Sequence, residues 1–175
     1  MMFYITATHD NWNQGHIDPV WLTNNCHLNF DYINKPFNDP VTLAQWQSIG
    51  HIYENYTGDI VEWGDLPEYV KELAAETGLH NVGCSLYKMQ PGRIIPEHQD
   101  TYATYKKIFN ITNNNIRRYV VFLEDWQSGH YLEIKNDAII NWKAGDWVSW
   151  EYDTPHLAAN LGSTDRYTMQ ITGTF

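Results

Sequence analysis

The sequence predicts a mostly β (α+β) fold, a sandwich or barrel of the jelly-roll kind with an N-terminal helical buttress. Three observations predict it. Beyond residue 80, about eight short apolar stretches follow one another, separated by Gly, Pro, Asn and Asp turns. Before residue 80, two stretches repeat their apolar residues every three or four positions, the helical period. The length of 175 residues with 43% hydrophobic content suits one domain, with 1–80 as support and 81–175 as the strand-built core. Helices first and strands afterwards place the helices on the outside of one sheet.

The chain opens with a short apolar strand at 3–7, a turn-rich stretch, and a second strand at 27–32. In "PVTLAQWQSIGHIYENYTG", Leu43, Trp46, Ile49, Ile52 or Tyr53, and Tyr56 form one helical stripe. "DLPEYVKELAAETG" carries the punctuation of a helix: Asp65 as cap, Pro67 in the first turn, Glu68 at the third position and Gly78 as the stop. Leu66, Tyr69, Val70, Leu73 and Ala74 make its buried face. After residue 80 the period becomes two. "NVGCSLYKMQPG", the stretch carrying His98 and Asp100, "RRYVVFLEDW", "HYLEIKN", "AIINWKAG", "DWVSWEYD", "HLAANLG" and "RYTMQITG" read as strands. In the last, Arg166, Thr168 and Gln170 share one face, and Tyr167, Met169 and Ile171 the other. Two placements satisfy that pattern. The polar face is wet over an apolar core, or it lies inside a barrel that holds an anion while the apolar face packs under the helices.

The net charge is −10, and the basic residues adjoin one another only as Lys106–Lys107 and Arg117–Arg118. Phosphate binding wants a basic face, so this composition argues against a nucleic-acid partner. No apolar run approaches the roughly 18 residues of a membrane span. The N-terminal stretch lacks a basic start followed by an apolar core, and the expectation is a cytoplasmic protein with no membrane partner. Cys26 and Cys84 are too few and too far apart for a disulfide framework and are expected as buried thiols. Eight Trp and twelve Tyr supply large contact areas with polar tips, suited to core and ligand pocket alike.

"PGRIIPEHQDTY" sets His98 and Asp100 two positions apart, on one face if a strand runs through both. That is a chelating geometry if a third ligand exists, and an ordinary hydrogen-bonded pair if none does. His9, His16, His27, His51 and His80 fall in the N-terminal or helical part, and His130 follows a Ser-Gly turn at a strand start. His156 opens a strand directly after "AGDWVSWEYDTP", and Arg166 follows ten residues later with Thr168 beyond it.

His98-x-Asp100, His156 and Arg166-x-Thr168, in this order and each on an expected strand, resemble the Fe(II)/2-oxoglutarate-dependent oxygenase superfamily, of the prolyl/aspartyl hydroxylase-like kind. "MQPGRIIPEHQD" resembles the turn and strand that deliver the first two ligands there. "KAGDWVSWEYDTPHLAAN" resembles the turn, strand, loop and strand that deliver the last histidine. The resemblance covers roughly residues 82–175 and implies a double-stranded β-helix. It implies Fe(II) on His98, Asp100 and His156, with 2-oxoglutarate and O2 as cosubstrates. The keto acid would chelate through its keto oxygen and C1 carboxylate, and Arg166 with Thr168 would hold its C5 carboxylate. The implied reaction is a hydroxylation coupled to decarboxylation of 2-oxoglutarate to succinate and CO2. Tyr87 is a further candidate for the cosubstrate. Arg118 resembles a second cation that some members place at the mouth, and otherwise reads as a surface ion pair. Asn160 would brace a ligand or cap a turn. Trp126, with Trp142, Trp147 and Trp150, would shape the pocket or pack the core.

Two other readings share parts of this pattern. A cupin-like metal protein (an isomerase, a dioxygenase without 2-oxoglutarate, or a sugar-binding barrel) resembles the same architecture, but its usual metal set clusters more histidines on the early strand than "HQD" provides. A β-sandwich binding module without metal leaves Arg166 and Thr168 unexplained. The expected substrate is a small molecule or a protein or peptide side chain. Residues 100–117 form a long polar stretch, expected as a lid or as a loop ordered by substrate.

Overall fold

The computed structural model describes residues 3–10, 12–18, 20–22, 30–37, 39–51, 57–62 and 65–175. Cys26, His27, Ile52, Tyr53 and Tyr56 lie outside these residues, as does the first half of the strand expected at 27–32. Its described part, 30–32, is not a strand.

In chain order the described elements are β1 (Phe3–His9), β2 (Trp12–Ile17), β3 (Ile33–Pro36), α1 (Pro40–Ser48), β4 (Thr57–Glu62), α2 (Glu68–Thr77), β5 (His80–Met89) and β6 (Ile94–His98). After them come α3 (Ala103–Phe109), β7 (Ile116–Phe122), β8 (His130–Ile134), β9 (Asp137–Ile139), β10 (Asp146–Glu151), β11 (His156–Asn160) and β12 (Arg166–Thr174). An eight-stranded antiparallel sheet, β1-β2-β10-β7-β12-β5-β4-β3, faces a four-stranded one, β6-β11-β8-β9. The architecture is a jelly roll, as the strand spacing predicts.

Strand alternation builds two apolar layers from the large sheet. Tyr119, Val121, Trp147, Met169 and Ile171 point outward, onto Leu73 of α2 and Leu79. Val120, Phe122, Val148 and Trp150 point inward and meet Leu132, Ile134 and Ala158 of the small sheet. On β12 this parity sends Met169 and Ile171 under the helix and Arg166 and Thr168 inward, where both are buried. The second of the two placements is the observed one: the polar face lines the interior.

The helices differ from expectation in their ends. Asp39 caps α1, accepting from the backbone N–H of Val41 and Thr42, both at 3.0 Å, with Pro40 in the first turn. The helix ends at Ser48, which leaves Ile49 exposed and Trp46 as the fully buried anchor. Asp65 does not cap α2. The helix begins at Glu68 behind Pro67, and Asp65 stays in solvent, 3.6 Å from Lys71. Gly78 stops it as predicted, in the left-handed conformation at φ 69°.

β2 was hidden in the stretch read as turns, and Gly15 explains how it closes against its neighbours. A Cβ there would stand 1.9 Å from the Tyr4 carbonyl oxygen and 2.3 Å from the Trp147 ring. Gly15→Ala is expected to destabilise the fold by about 1–3 kcal/mol, the usual cost of overpacking. Urea unfolding measures it, and a change under about 0.5 kcal/mol, typical of free surface positions, would remove this packing argument.

Candidate metal centre

β6 and β11 pair antiparallel with His98 directly opposite His156. This register sets the two imidazole rings 4.4 Å apart, centroid to centroid. The Pro91–Gly92 turn is tied to the far end of β11: Gly92 N–H donates to the Asn160 carbonyl and Asn160 N–H to that of Arg93, both at 2.8 Å. Asp100 lies beyond the end of β6 rather than on it. Its carboxylate nevertheless reaches both histidines, with Oδ1 3.7 Å from His98 Nε2 and Oδ2 3.6 Å from His156 Nε2.

Each histidine is oriented by its other nitrogen. His98 Nδ1 is 2.8 Å from the Pro96 carbonyl oxygen, and His156 Nδ1 is 2.9 Å from that of Thr154. A carbonyl only accepts, so Nδ1 carries the proton and Nε2 offers a lone pair. One donor atom from each of the three residues lies within 4.8 Å of the others. A metal about 2.1 Å from each donor holds neighbouring donors about 3 Å apart. The donors therefore draw together by up to about 1.8 Å to close the set, and its two imidazoles and one carboxylate are suited to a divalent transition metal with open positions.

Protonation is prepared for this. Burial holds both imidazoles below their ordinary range, His156 to about 4 with the His98 ring adding to the effect. Burial works to raise the Asp100 carboxyl, but Arg118 first, then His156 and His98, outweigh it and hold it below the ordinary carboxylate range. His156 thus stays neutral when folded but protonates below about 6.5 when unfolded. Stability of the metal-free protein is therefore lost as pH falls from about 6.5 toward 4. His156→Leu is expected to flatten that fall in urea midpoints, and an unchanged slope would contradict a buried neutral His156.

Arg118 lines the cavity, and its ion pair lies inside the cavity rather than at the surface. Its Nη1 donates to Asp100 Oδ2 at 2.7 Å, and its Nε donates to Thr172 Oγ1 at 3.2 Å. It is a strut from the large sheet that fixes a carboxylate which no strand holds. Two aromatic residues beside His98 were not picked out from the sequence for this site: Phe37 and Trp46 stand edge-on to its ring, at 5.5 and 5.4 Å. Trp46 also donates to the Glu97 carbonyl at 3.0 Å.

The three donors open onto a cavity of about 470 Å³ between the sheets, whose lining includes Tyr87, Arg166, Thr168, Gln170 and Trp150. Arg166 is 4% exposed. Its Nη1 donates to the Tyr131 carbonyl at 2.7 Å, while its Nε is buried without a partner and no described carboxylate forms an ion pair with it. Burial pulls its pKa down to about 10, against the pull of Tyr87 and Glu124. Tyr87, paired with Thr168 across β5 and β12, lies over Gly58, where a Cβ would meet its hydroxyl at 2.1 Å. Burial pushes the Tyr87 phenol up to about 12, so it is a donor at neutral pH.

Two candidates fall outside the cavity. Trp126 donates through Nε1 to the His130 carbonyl at 2.8 Å and packs in the inner core. Asn160 braces the turn before β12 rather than a ligand, donating to the carbonyls of Met89 and Thr164 at 2.7 and 2.8 Å and accepting from Gly162 N–H at 3.0 Å. Of the remaining tryptophans, Trp150 lines the cavity, 4.6 Å from the His156 ring, while Trp142 and Trp147 pack in the two cores. The stretch 100–117 is no open loop: its first half forms α3, and residues 101–105 line the cavity.

No protein-family model matches the sequence, and no curated protein matches it. Solved structures do. A Pseudomonas putida prolyl-4-hydroxylase superimposes with a TM-score of 0.53 at 14% identity, covering 82% of this chain and 91% of that one. A predicted oxalate decarboxylase from Thermotoga maritima gives 0.44 at 13% identity, covering 68% of this chain and 82% of that one. KdgF from Halomonas sp. gives 0.43 at 11%, covering 67% and 79%. At such identities the likeness to the hydroxylase speaks for the fold alone. The chain has a jelly-roll, double-stranded β-helix fold, with a His98–Asp100–His156 triad able to bind a metal.

Proposed function

We propose that the protein is an iron(II)- and 2-oxoglutarate-dependent oxygenase, most simply a hydroxylase. The observation that carries this reading is Arg166, a buried guanidinium with an unpartnered Nε, on the wall of the cavity onto which the three metal-binding side chains open. An unpaired buried cation is expensive, and the expense is relieved by an anion that arrives with the reaction. A metal-binding barrel with no acidic ligand has no use for it.

His98, Asp100 and His156 would hold ferrous iron, which would supply, with a keto acid and O2, an oxidation that no side chain can. Overall, one O2 is consumed, 2-oxoglutarate becomes succinate and CO2, and the substrate C–H becomes C–OH. The chain's own part is placement. Arg166 presents its planar fork to the C5 carboxylate of 2-oxoglutarate, with the Thr168 hydroxyl and the protonated Tyr87 phenol as further donors. Arg118 keeps one Asp100 oxygen occupied, so that the other would be the one available to a metal. Trp150, Phe122 and Leu132 give the cavity dry walls.

Purified protein given Fe(II), ascorbate and air is expected to convert 2-oxoglutarate slowly to succinate without any added substrate. Succinate formation no faster in the native chain than in His98→Ala would defeat the proposal.

A further inference from the structure

The segment that carries Asp100 is tied to α1, a helix from the other half of the chain. We propose that Asp39 and Thr101 are positioning residues of the metal centre, and that metal binding and the seating of α1 are thermodynamically linked. The inference rests on the triad holding a metal and not on the choice of cosubstrate.

β6 ends at His98, so no strand pairing fixes residues 99–101. Tyr102 then takes the left-handed conformation at φ 54°, which a bulky side chain adopts only where its surroundings hold it there. A carboxylate on such a turn is preorganised for a metal only as far as the turn is held from outside. Three side-chain bonds hold it. Arg118 takes the Asp100 carboxylate itself. The Thr101 hydroxyl donates to Asp39 Oδ2 in a partly buried bond between two residues of the cavity lining. Gln99 donates to the Asp153 carbonyl at 2.9 Å, but that bond is exposed to solvent.

Asp39 divides its two oxygens between the helix and the ligand segment. Oδ1 accepts from the N–H groups of Val41 and Thr42 and starts α1, while Oδ2 accepts from Thr101. Burial works to raise its carboxyl, but the Thr101 hydroxyl, then the Thr42 and Val41 N–H groups, outweigh it and hold the group below the ordinary carboxylate range. It is therefore an ionised acceptor at both oxygens near neutral pH. Further along α1, Trp46 stands edge-on to the His98 ring at 5.4 Å and donates to the Glu97 carbonyl at 3.0 Å. One helix thus grips the chain on both sides of the His98–Asp100 pair, at Glu97 and at Thr101. Of its nine residues only Thr42 and Trp46 are buried, so these few contacts seat it.

Whatever factor the seated helix lends to metal affinity, the metal returns to the seating of the helix. The experiment is calorimetric titration of the metal-free chain with Mn(II), beside hydrogen exchange of the α1 amides with and without Mn(II). Thr101→Val removes the hydroxyl and keeps the shape. Asp39→Ser has one side-chain oxygen, which the helix cap takes up, and so leaves Thr101 without its acceptor. Each is expected to weaken Mn(II) binding about tenfold, the lower end of what loss of a side chain supporting a ligand does, with Thr101→Ser close to native. The two together should lose little more than either, because they cut one tie. Saturating Mn(II) is expected to slow α1 exchange about tenfold in the native chain, by the same reciprocity, and much less in Thr101→Val. Unchanged Mn(II) affinity in Thr101→Val, even with a lower urea midpoint, marks an ordinary structural bond and overturns the inference. Losses that add in the double variant overturn it too, as does α1 exchange that Mn(II) leaves unmoved. A native chain that takes up no Mn(II) defeats the triad itself, and this inference with it.

Discussion

Arg166→Met is expected to raise the 2-oxoglutarate concentration for half-maximal turnover by about a hundredfold or more, while metal content stays unchanged. Losing one partner of a buried, hydrogen-bonded charge pair costs about 3–5 kcal/mol, which is a factor of about one hundred to several thousand in binding. The same substitution is expected not to lower the melting temperature of the metal-free protein. In that state Arg166 has no anion to balance its desolvation, so an apolar side chain of similar length relieves a penalty. Arg166→Lys should recover only part of the affinity, because an ammonium cannot reproduce the planar fork. Measuring succinate formation against 2-oxoglutarate concentration checks this, and a half-saturation point unmoved in Arg166→Met would remove Arg166 from the cosubstrate site.

The second large effect is loss of the metal. His98→Ala is expected to weaken Fe(II) or Mn(II) binding by more than about a hundredfold, beyond what loss of a supporting side chain does. It leaves the Arg118–Asp100 pair intact, so folding should survive and the metal effect can be read alone. Asp100→Ala should lose the metal and also stability, because it strands the Arg118 guanidinium that Asp100 accepts at 2.7 Å. The combination of Asp100→Ala with Arg118→Met should recover much of that stability without recovering the metal. Calorimetric titration and urea unfolding together distinguish the two losses. Metal binding that survives in both His98→Ala and Asp100→Ala would mean that the triad does not hold the ion.

Much of this was legible before any coordinates. Alternation on β12 separates Arg166 and Thr168 from Met169 and Ile171, and the interior placement of the polar set is the observed one. The same parity distinguishes Trp150, which lines the cavity, from Trp147 on the outer face, a signal that was present in "DWVSWEYD" and not used. Other features carry no local signature. The pairing of His98 with His156 and of Thr172 with Arg118 is a matter of register between strands far apart in sequence. That register makes Arg118, a cation of the cavity wall, the strut behind Asp100 as well. β2, "WNQGHI", has a weak apolar pattern because Gly15 serves close approach rather than burial. α3 follows Tyr102 at φ 54° and buries none of its side chains fully, so no apolar stripe announces it.

The most direct test of the central claim is the visible absorbance of the anaerobic protein, recorded on adding Fe(II) and then 2-oxoglutarate. A bidentate keto acid on ferrous iron gives a weak charge-transfer band. The account predicts that the band appears with the native chain, is absent in His98→Ala, and in Arg166→Met forms only at far higher 2-oxoglutarate. Iron that binds without any band, at any 2-oxoglutarate concentration, would contradict it and leave a metal-binding barrel of another activity.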